Sequence, residues 1–203
     1  MPELPEVETV CRGLAPHMEG RRIFRVVQRR PDLRFPFPDN FPARLEGRRI
    51  EKIDRRSKYI LIRLEGDLHW MVHLGMSGRF TVNPKPGARA SSGQVGHNSG
   101  WELAGKHDHV TVELEDGGIV TYNDPRRFGF MELWPAQTFG AYPRLRVMGP
   151  EPLSNGFSEV YLNTVLKGRK TPVKAALLDQ SIIAGLGNIY VCEALWRAGI
   201  SPR

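Results

Sequence analysis

Val110, Val112 and Leu114 alternate with Thr111 and Glu113, and Asp116-Gly117-Gly118 then leads into Ile119 to Tyr122. A period of two puts the apolar set on one face of a strand and the polar set on the other, and an Asp-Gly pair marks a tight turn. The segment therefore reads as a β-hairpin with one buried face and one wet one. Arg22 to Gln28, Tyr59 to Leu64 and His69 to Leu74 are further short runs rich in β-branched and aromatic residues, and read as strands. Half-buried sheets need a second layer, so two packed antiparallel sheets, a sandwich, are expected.

Helices are expected at both ends. Val7, Val10, Cys11 and Leu14 fall at i, i+3, i+4 and i+7, with Pro5 suited to the first turn of that helix. Residues 84 to 106, with Pro84, Pro86 and several Gly, Ser and Asn, read as a long surface loop in which mobility is expected. Met148-Gly149-Pro150-Glu151-Pro152 reads as a domain junction, after which helix signals dominate. Thr171-Pro172 looks like an N-cap and first-turn pair, and Val173, Ala176 and Leu177 form an apolar face. Ile182 to Asn188 interrupts that helix with an extended piece and a glycine turn. A second helix is expected from about Asn188 to Ala198, closed by Gly199. The expected fold is α+β: a sandwich domain at 1–147 flanked by helices, then a helix-two-turns-helix domain at 148–203, which the family resemblance given below implies is incomplete at its C-terminus.

Composition narrows the function classes. The 203 residues are 40% hydrophobic and 25% charged, enough for one or two domains with a real core. No apolar run reaches the length of a membrane span and the acidic N-terminus has no signal-peptide pattern, so a soluble cytoplasmic protein is expected. Cys11 and Cys192 are the only cysteines, too few for a disulfide framework or a four-cysteine zinc site. The balance of 29 basic against 22 acidic residues suggests a polyanionic partner, and charge alone would fit an RNA-binding protein as well. Arg29-Arg30, Arg55-Arg56-Ser57-Lys58, Arg126-Arg127 and Lys167-Gly168-Arg169-Lys170 are spaced along the folded chain. Each alone suits a solvated face; together they suit a phosphate-binding surface.

The N-terminus carries the chemistry. Removal of Met1 would leave the secondary amine of Pro2 beside the carboxylate of Glu3. An α-amino group titrates at roughly pH 7.7 to 8.0, far below a lysine, so it is partly nucleophilic near neutrality. Glu6 and Glu8 favour the helix end where the dipole is positive, and that pole disfavours an ammonium. A covalent amine catalyst next to an acid/base group is one reading; an ordinary helix opening is the other.

Seven motifs decide between these readings. They are Pro2-Glu-Leu-Pro-Glu-Val-Glu-Thr9, Arg56-Ser-Lys-Tyr59, His73-Leu-Gly-Met-Ser-Gly78, His107-Asp-His109, Asp124-Pro-Arg-Arg-Phe-Gly129, Gly149-Pro-Glu-Pro-Leu153 and Gly185-Leu-Gly-Asn-Ile-Tyr190. In this order they are very specific. The chain resembles the formamidopyrimidine-DNA glycosylase family, base-excision repair enzymes that remove 8-oxoguanine and ring-opened purines. The related endonuclease VIII branch usually has glycine where Leu4 stands, which favours the first branch.

The resemblance implies a bifunctional DNA glycosylase and abasic-site lyase whose partner is double-stranded DNA containing oxidised purines or abasic sites. Pro2 would attack C1′ of the damaged nucleotide, expel the base and form a Schiff base, with Glu3 assisting ring opening. Lys58 matches the lysine associated with β-elimination, though it could hold a phosphate or be a solvated lysine at a strand start. Eversion of a nucleotide costs a few kcal/mol and leaves a vacancy. Met76, Arg126 and Phe128 match the family's void-filling wedge, and their glycine-flanked loops argue against core packing. His73, His107, Arg169, Lys174 and Asn188 match positions that contact DNA, chiefly its backbone. His107 and His109 would supply too few ligands for a metal site, so a structural or DNA-facing role is expected.

Family members continue with a C-terminal zinc finger that clamps the lesion phosphate. The sequence ends at Arg203 without those cysteines, so no zinc or other cofactor is expected in this chain. The alternative function is a truncated, non-catalytic protein that binds damaged DNA. A tautomerase using an N-terminal proline is disfavoured, because such chains are much shorter and need neither the Arg126-Arg127-Phe128 loop nor the double turn. A monomer is the simpler expectation.

Overall fold

The computed structural model describes residues 2–84 and 105–202. Mobility expected of the loop at 84 to 106 thus falls largely outside the described residues. The chain packs as two compact units, Met1–Arg55 with Tyr59–Phe139, and Arg56–Lys58 with Gly140–Arg203. Membership of the tripeptide Arg56–Lys58 in the second unit carries no local sequence signal.

The first unit opens with α1 (Leu4–Met18), whose buried residues Val7, Cys11, Leu14 and Met18 make one stripe at helical spacing. Val10 packs at its margin. Strands β1 (Ile23–Gln28), β2 (Ile50–Arg56), β3 (Tyr59–Leu64), β4 (Leu68–His73), β5 (Arg79–Asn83), β6 (Asp108–Leu114), β7 (Ile119–Asn123) and β8 (Phe130–Pro135) follow, with a short helix α2 (Phe41–Leu45) after β1. They form two four-stranded sheets, ordered β1-β6-β7-β5 and β2-β3-β4-β8. The expected hairpin is β6–β7, antiparallel, with Val110 opposite Tyr122 and Val112 opposite Val120. In the unit's main core fully buried Phe41 meets Trp70 edge-on at 5.9 Å.

Strands β2, β5 and β8 have no counterpart among the segments expected from sequence. In β2 only Ile50 and Ile53 are buried. They are three residues apart, so the strand lacks the alternation that marks a half-buried sheet. Its pairing with β3, not its own pattern, makes it a strand.

Besides the β1–β2 connection through α2, two connections cross between the sheets. The chain leaves β4 in one sheet, passes through Leu74 to Gly78 and enters β5 in the other; later it leaves β7 and passes back through Asp124 to Gly129 into β8. Because β5 pairs with β7 and β4 with β8, these crossovers run side by side. Arg79 opposite Asn123 and His73 opposite Phe130 fix their bases.

The second unit is helical: α3 (Pro143–Arg146), α4 (Glu159–Leu166), α5 (Val173–Leu178) and α6 (Asn188–Ala198). Its core is Ala176, Ile182 and Ile183, packed by Leu162, Val165 and Leu186 among others. Ser158 caps α4 by accepting the Tyr161 N–H at 3.1 Å. The expected Thr171-Pro172 start is displaced by one residue, since Pro172 is itself the N-cap with extended ψ of 138°. α6 spans the expected residues and closes on Gly199 at φ 65°. Among the described residues no helix is long and apolar enough to cross a membrane.

Candidate functional site

Glu3 is the N-cap of α1 and only 1% exposed, with half-buried Pro2 directly before it. The Glu6 carboxylate reaches back to accept the Glu3 backbone N–H at 2.9 Å, and the Val7 N–H returns to the Glu3 carbonyl at 3.0 Å. These bonds fix the chain ahead of the helix, where the dipole is positive. Glu8 does not take the dipole role expected of it. It accepts from Arg55 Nε at 2.9 Å and Arg12 Nε at 2.8 Å, and those bonds, Arg55 first, hold its carboxyl below the usual range.

The side-by-side crossovers carry the expected wedge residues. Met76 is 43% exposed and Phe128 42%, large apolar side chains left in solvent at loop tips. Arg126 is exposed and its guanidinium carbon lies 4.8 Å from the Phe128 ring centroid. Gly75, at φ 61°, presses on the other loop: a Cβ there would fall 2.3 Å from the Phe128 carbonyl carbon.

Asp124 joins these loops. Fully buried, its carboxylate accepts from the Ser77 hydroxyl at 2.5 Å, the Gly129 N–H at 2.9 Å and the Tyr122 phenol at 3.2 Å. The Ser77 oxygen in turn accepts the Arg126 N–H at 3.1 Å. Burial, and then the neighbouring Asp124, push the Tyr122 phenol far above its ordinary range, so it stays a donor. The motifs point to Met76, Arg126 and Phe128 but give no role to Ser77 or Asp124. The bond between them spans 47 residues, beyond any local pattern.

The histidines take different places. His73 Nδ1 accepts the Gly75 N–H at 3.1 Å, which puts its proton on Nε2, and its ring stacks on Phe130 at 5.2 Å. His109 is buried with Nε2 2.8 Å from the Asp124 carbonyl, while half-buried His107 uses its own carbonyl to accept the Asp124 N–H. Asp108 is engaged by Asn123 Nδ2 at 2.7 Å and the Gly105 N–H at 2.6 Å. Among the described residues no group of three or more His, Cys, Asp or Glu could hold a metal ion. With one cysteine buried and the other exposed, the residues present do not fit a four-cysteine zinc site.

The second unit holds the remaining candidates. Lys58 is 7% exposed, so it is not a solvated lysine. It follows Ser57, a non-glycine residue at φ 56°. Glu151 holds this turn, accepting from Arg56 Nη1 at 3.0 Å and the Ser57 N–H at 2.6 Å, while Arg56 Nη2 donates to the Gly149 carbonyl at 2.7 Å. Arg169 lies exposed beyond α4 with Nε on the Val165 carbonyl at 2.6 Å, and half-buried Lys174 lies on α5. Asn188 begins α6 and is exposed; its N-cap, Gly187, has no side chain to close the helix end.

Gln180 likewise carries no sequence signal of its role. Its Nε2 donates to the carbonyls of Leu178 at 2.9 Å and Leu186 at 2.8 Å, and its Oε1 accepts the Gly185 N–H at 2.9 Å. One side chain thus ties the end of α5 to the glycine turn before α6.

Comparison with known proteins assigns this arrangement. Residues 1–131 match the formamidopyrimidine-DNA glycosylase N-terminal domain, and residues 148–203 match the formamidopyrimidine-DNA glycosylase H2TH domain. Over 203 residues the chain is 58% identical to the formamidopyrimidine-DNA glycosylase of Ruegeria pomeroyi, covering all of this chain and 69% of that protein. The Rhodospirillum centenum enzyme is 53% identical over 213 residues, with the same coverage. The crystal structure of the Lactococcus lactis enzyme bound non-covalently to DNA with an AP site is similar at a TM-score of 0.81 and 33% identity, covering 98% of this chain and 71% of that one. A point mutant of that enzyme with Fapy-dG-containing DNA gives 0.81 at 34% identity, over 99% and 68%. With both of its units matched and relatives of this identity aligned along its whole length, the chain belongs to the formamidopyrimidine-DNA glycosylase family.

Proposed function

We infer that this chain is a base-excision repair DNA glycosylase with abasic-site lyase activity, acting on oxidised purines. The observation that carries the reading is the N-terminus: Pro2 stands directly before a buried carboxylate, Glu3, at the positive end of α1.

With Met1 removed, the Pro2 nitrogen has a lone pair to attack C1′ of the damaged nucleotide. The N–C1′ bond forms as the glycosidic bond breaks, its electron pair leaving with the base, which takes up a proton. The Pro2 nitrogen then expels O4′ from C1′, giving an iminium ion and an open sugar. Glu3, held beside the amine, can deliver the proton that O4′ needs. The iminium acidifies C2′–H; loss of that proton breaks the C3′–O bond and cleaves the strand. Lys58 supplies a fixed cation for that step. Met76, Arg126 and Phe128 fill the space left by the everted nucleotide, apolar side chains entering the stack and the guanidinium meeting the orphaned base. His73, His107, Arg169, Lys174 and Asn188 bind the backbone.

The surplus of 29 basic over 22 acidic residues supports a duplex partner. A monomer working in the cytoplasm completes the proposal. Incubation with an abasic-site duplex followed by borohydride should trap a covalent adduct, and Pro2→Gly should abolish it. Intact mass must first show Met1 removed. Reversible binding without trapping would favour a non-catalytic binding protein instead.

A further inference from the structure

We propose that Ser77 and Asp124 are positioning residues for nucleotide eversion, coupling the 74–78 and 124–129 crossovers so that Met76, Arg126 and Phe128 enter the duplex as one body. The proposal rests on the reading of those three residues as the wedge.

Strand pairing fixes the two crossovers only at their bases, at His73 opposite Phe130 and Arg79 opposite Asn123. Nearer the tips they are tied by side chains. The Ser77 hydroxyl has one proton, and it goes to Asp124 at 2.5 Å; its oxygen then accepts the Arg126 N–H at 3.1 Å. Ser77 is therefore a relay of definite polarity, from the backbone of one wedge residue to a carboxylate at the root of the same loop. Its own neighbour in sequence is the other wedge residue, Met76.

Asp124 is the fixed end of that relay. A buried carboxylate is tolerated only where donors replace water, and Tyr122, Gly129 and Ser77 supply three. Tyr122 and Gly129 hold it from the sheet and from its own loop; Ser77 alone reaches it from the other crossover. Removing Ser77 would thus cut the tie between loops while leaving Asp124 with two donors. Opening the stack is uphill, and a hydrogen bond to a charged group is among the stronger single ties that a side chain can make. A wedge whose loops part more easily than bases do would yield instead of inserting.

The test uses stopped-flow fluorescence with 2-aminopurine beside the lesion in a duplex, for the wild type, Ser77→Ala, Ser77→Thr, Phe128→Ala and the Ser77→Ala/Phe128→Ala pair. Ser77→Ala should slow eversion roughly tenfold, the size of one lost hydrogen bond to a charge, and Ser77→Thr should restore the rate. The ratio of duplex excision to borohydride trapping on a single-stranded abasic oligonucleotide should fall by the same factor, because the single strand needs no wedge. A general loss of folded protein would lower both alike and overturn the proposal. The double variant should be little slower than the slower single one. Additive effects, or normal eversion in Ser77→Ala when Phe128→Ala is slow, would overturn the coupling alone. Normal eversion in Phe128→Ala would remove the wedge reading, and the coupling with it.

Discussion

Gly75 abuts the backbone of Phe128 so closely that a Cβ on it would stand 2.3 Å from the Phe128 carbonyl carbon and 2.4 Å from the Gly129 nitrogen. Gly75 also has φ 61°. Gly117, in the β6–β7 turn, has φ 83° but nothing within 4 Å of its missing Cβ. The pair separates backbone strain from close approach. Gly117→Ala should cost only about 1 to 2 kcal/mol for the left-handed conformation. Gly75→Ala should add overpacking, about 1 to 3 kcal/mol more, and should slow excision by shifting Phe128. Equal melting temperatures for the two variants would refute the close approach.

The Gln180 side chain makes three hydrogen bonds that hold the double turn. Gln180→Ala leaves two carbonyls and one N–H of the turn without it, at about 1 kcal/mol for each bond, and removes the acceptor that lies 3.4 Å from the Ser57 hydroxyl. Thermal unfolding should start at a lower temperature. DNA affinity should fall as well, because α6 presents its N-terminus from the far side of that turn. A variant that binds DNA as the wild type does would separate the turn from the interface.

The two thiols should differ in reactivity. Burial, reinforced by Glu8, pushes the Cys11 thiol up to about 12, whereas Cys192 is exposed on α6. Ellman's reagent at mildly alkaline pH should titrate one thiol in the native protein and two after denaturation. Cys192→Ser should abolish the native reaction. Persistence of a fast native thiol in that variant would contradict the placement of α1.

Glu8 links α1 to Arg55 of β2. Its folded-state pKa lies below its ordinary 4.5, so its stabilisation is complete above that ordinary value and lost as pH falls through the lowered one. Glu8→Gln should therefore destabilise the protein near neutrality, by at most about 1 kcal/mol since the pair is partly exposed. In acid below the lowered value, mutant and wild type should melt together. A difference that persists there would mean that packing, not charge, is what the substitution removes.

Much of the fold is legible along the chain because its cause is local. The stripe of Val7, Cys11 and Leu14, the alternation of Val110, Val112 and Leu114, and the glycine that closes α6 each report a period or a backbone angle. Strand β2 escapes such reading, since its Ile50 and Ile53 are three residues apart and only pairing with β3 makes it a strand. The helix α5 begins late for a related reason, as Pro172 adopts an extended ψ instead of the first helical turn.

Sequence by itself determined which side chains are available: a proline followed by a carboxylate at the N-terminus, Met76, Arg126 and Phe128 on glycine-flanked loops, and a basic surplus spread along the chain. Those properties belong to residue types and their order. Tertiary structure alone decided that the Ser77 hydroxyl donates to Asp124, 47 residues away, between the crossovers, and that Gln180 holds the double turn. The first tie depends on which strands become neighbours, because the pairing of β4 with β8 and β5 with β7 brings the two crossovers together, and the second on how the helical unit folds the glycine turn back onto the end of α5.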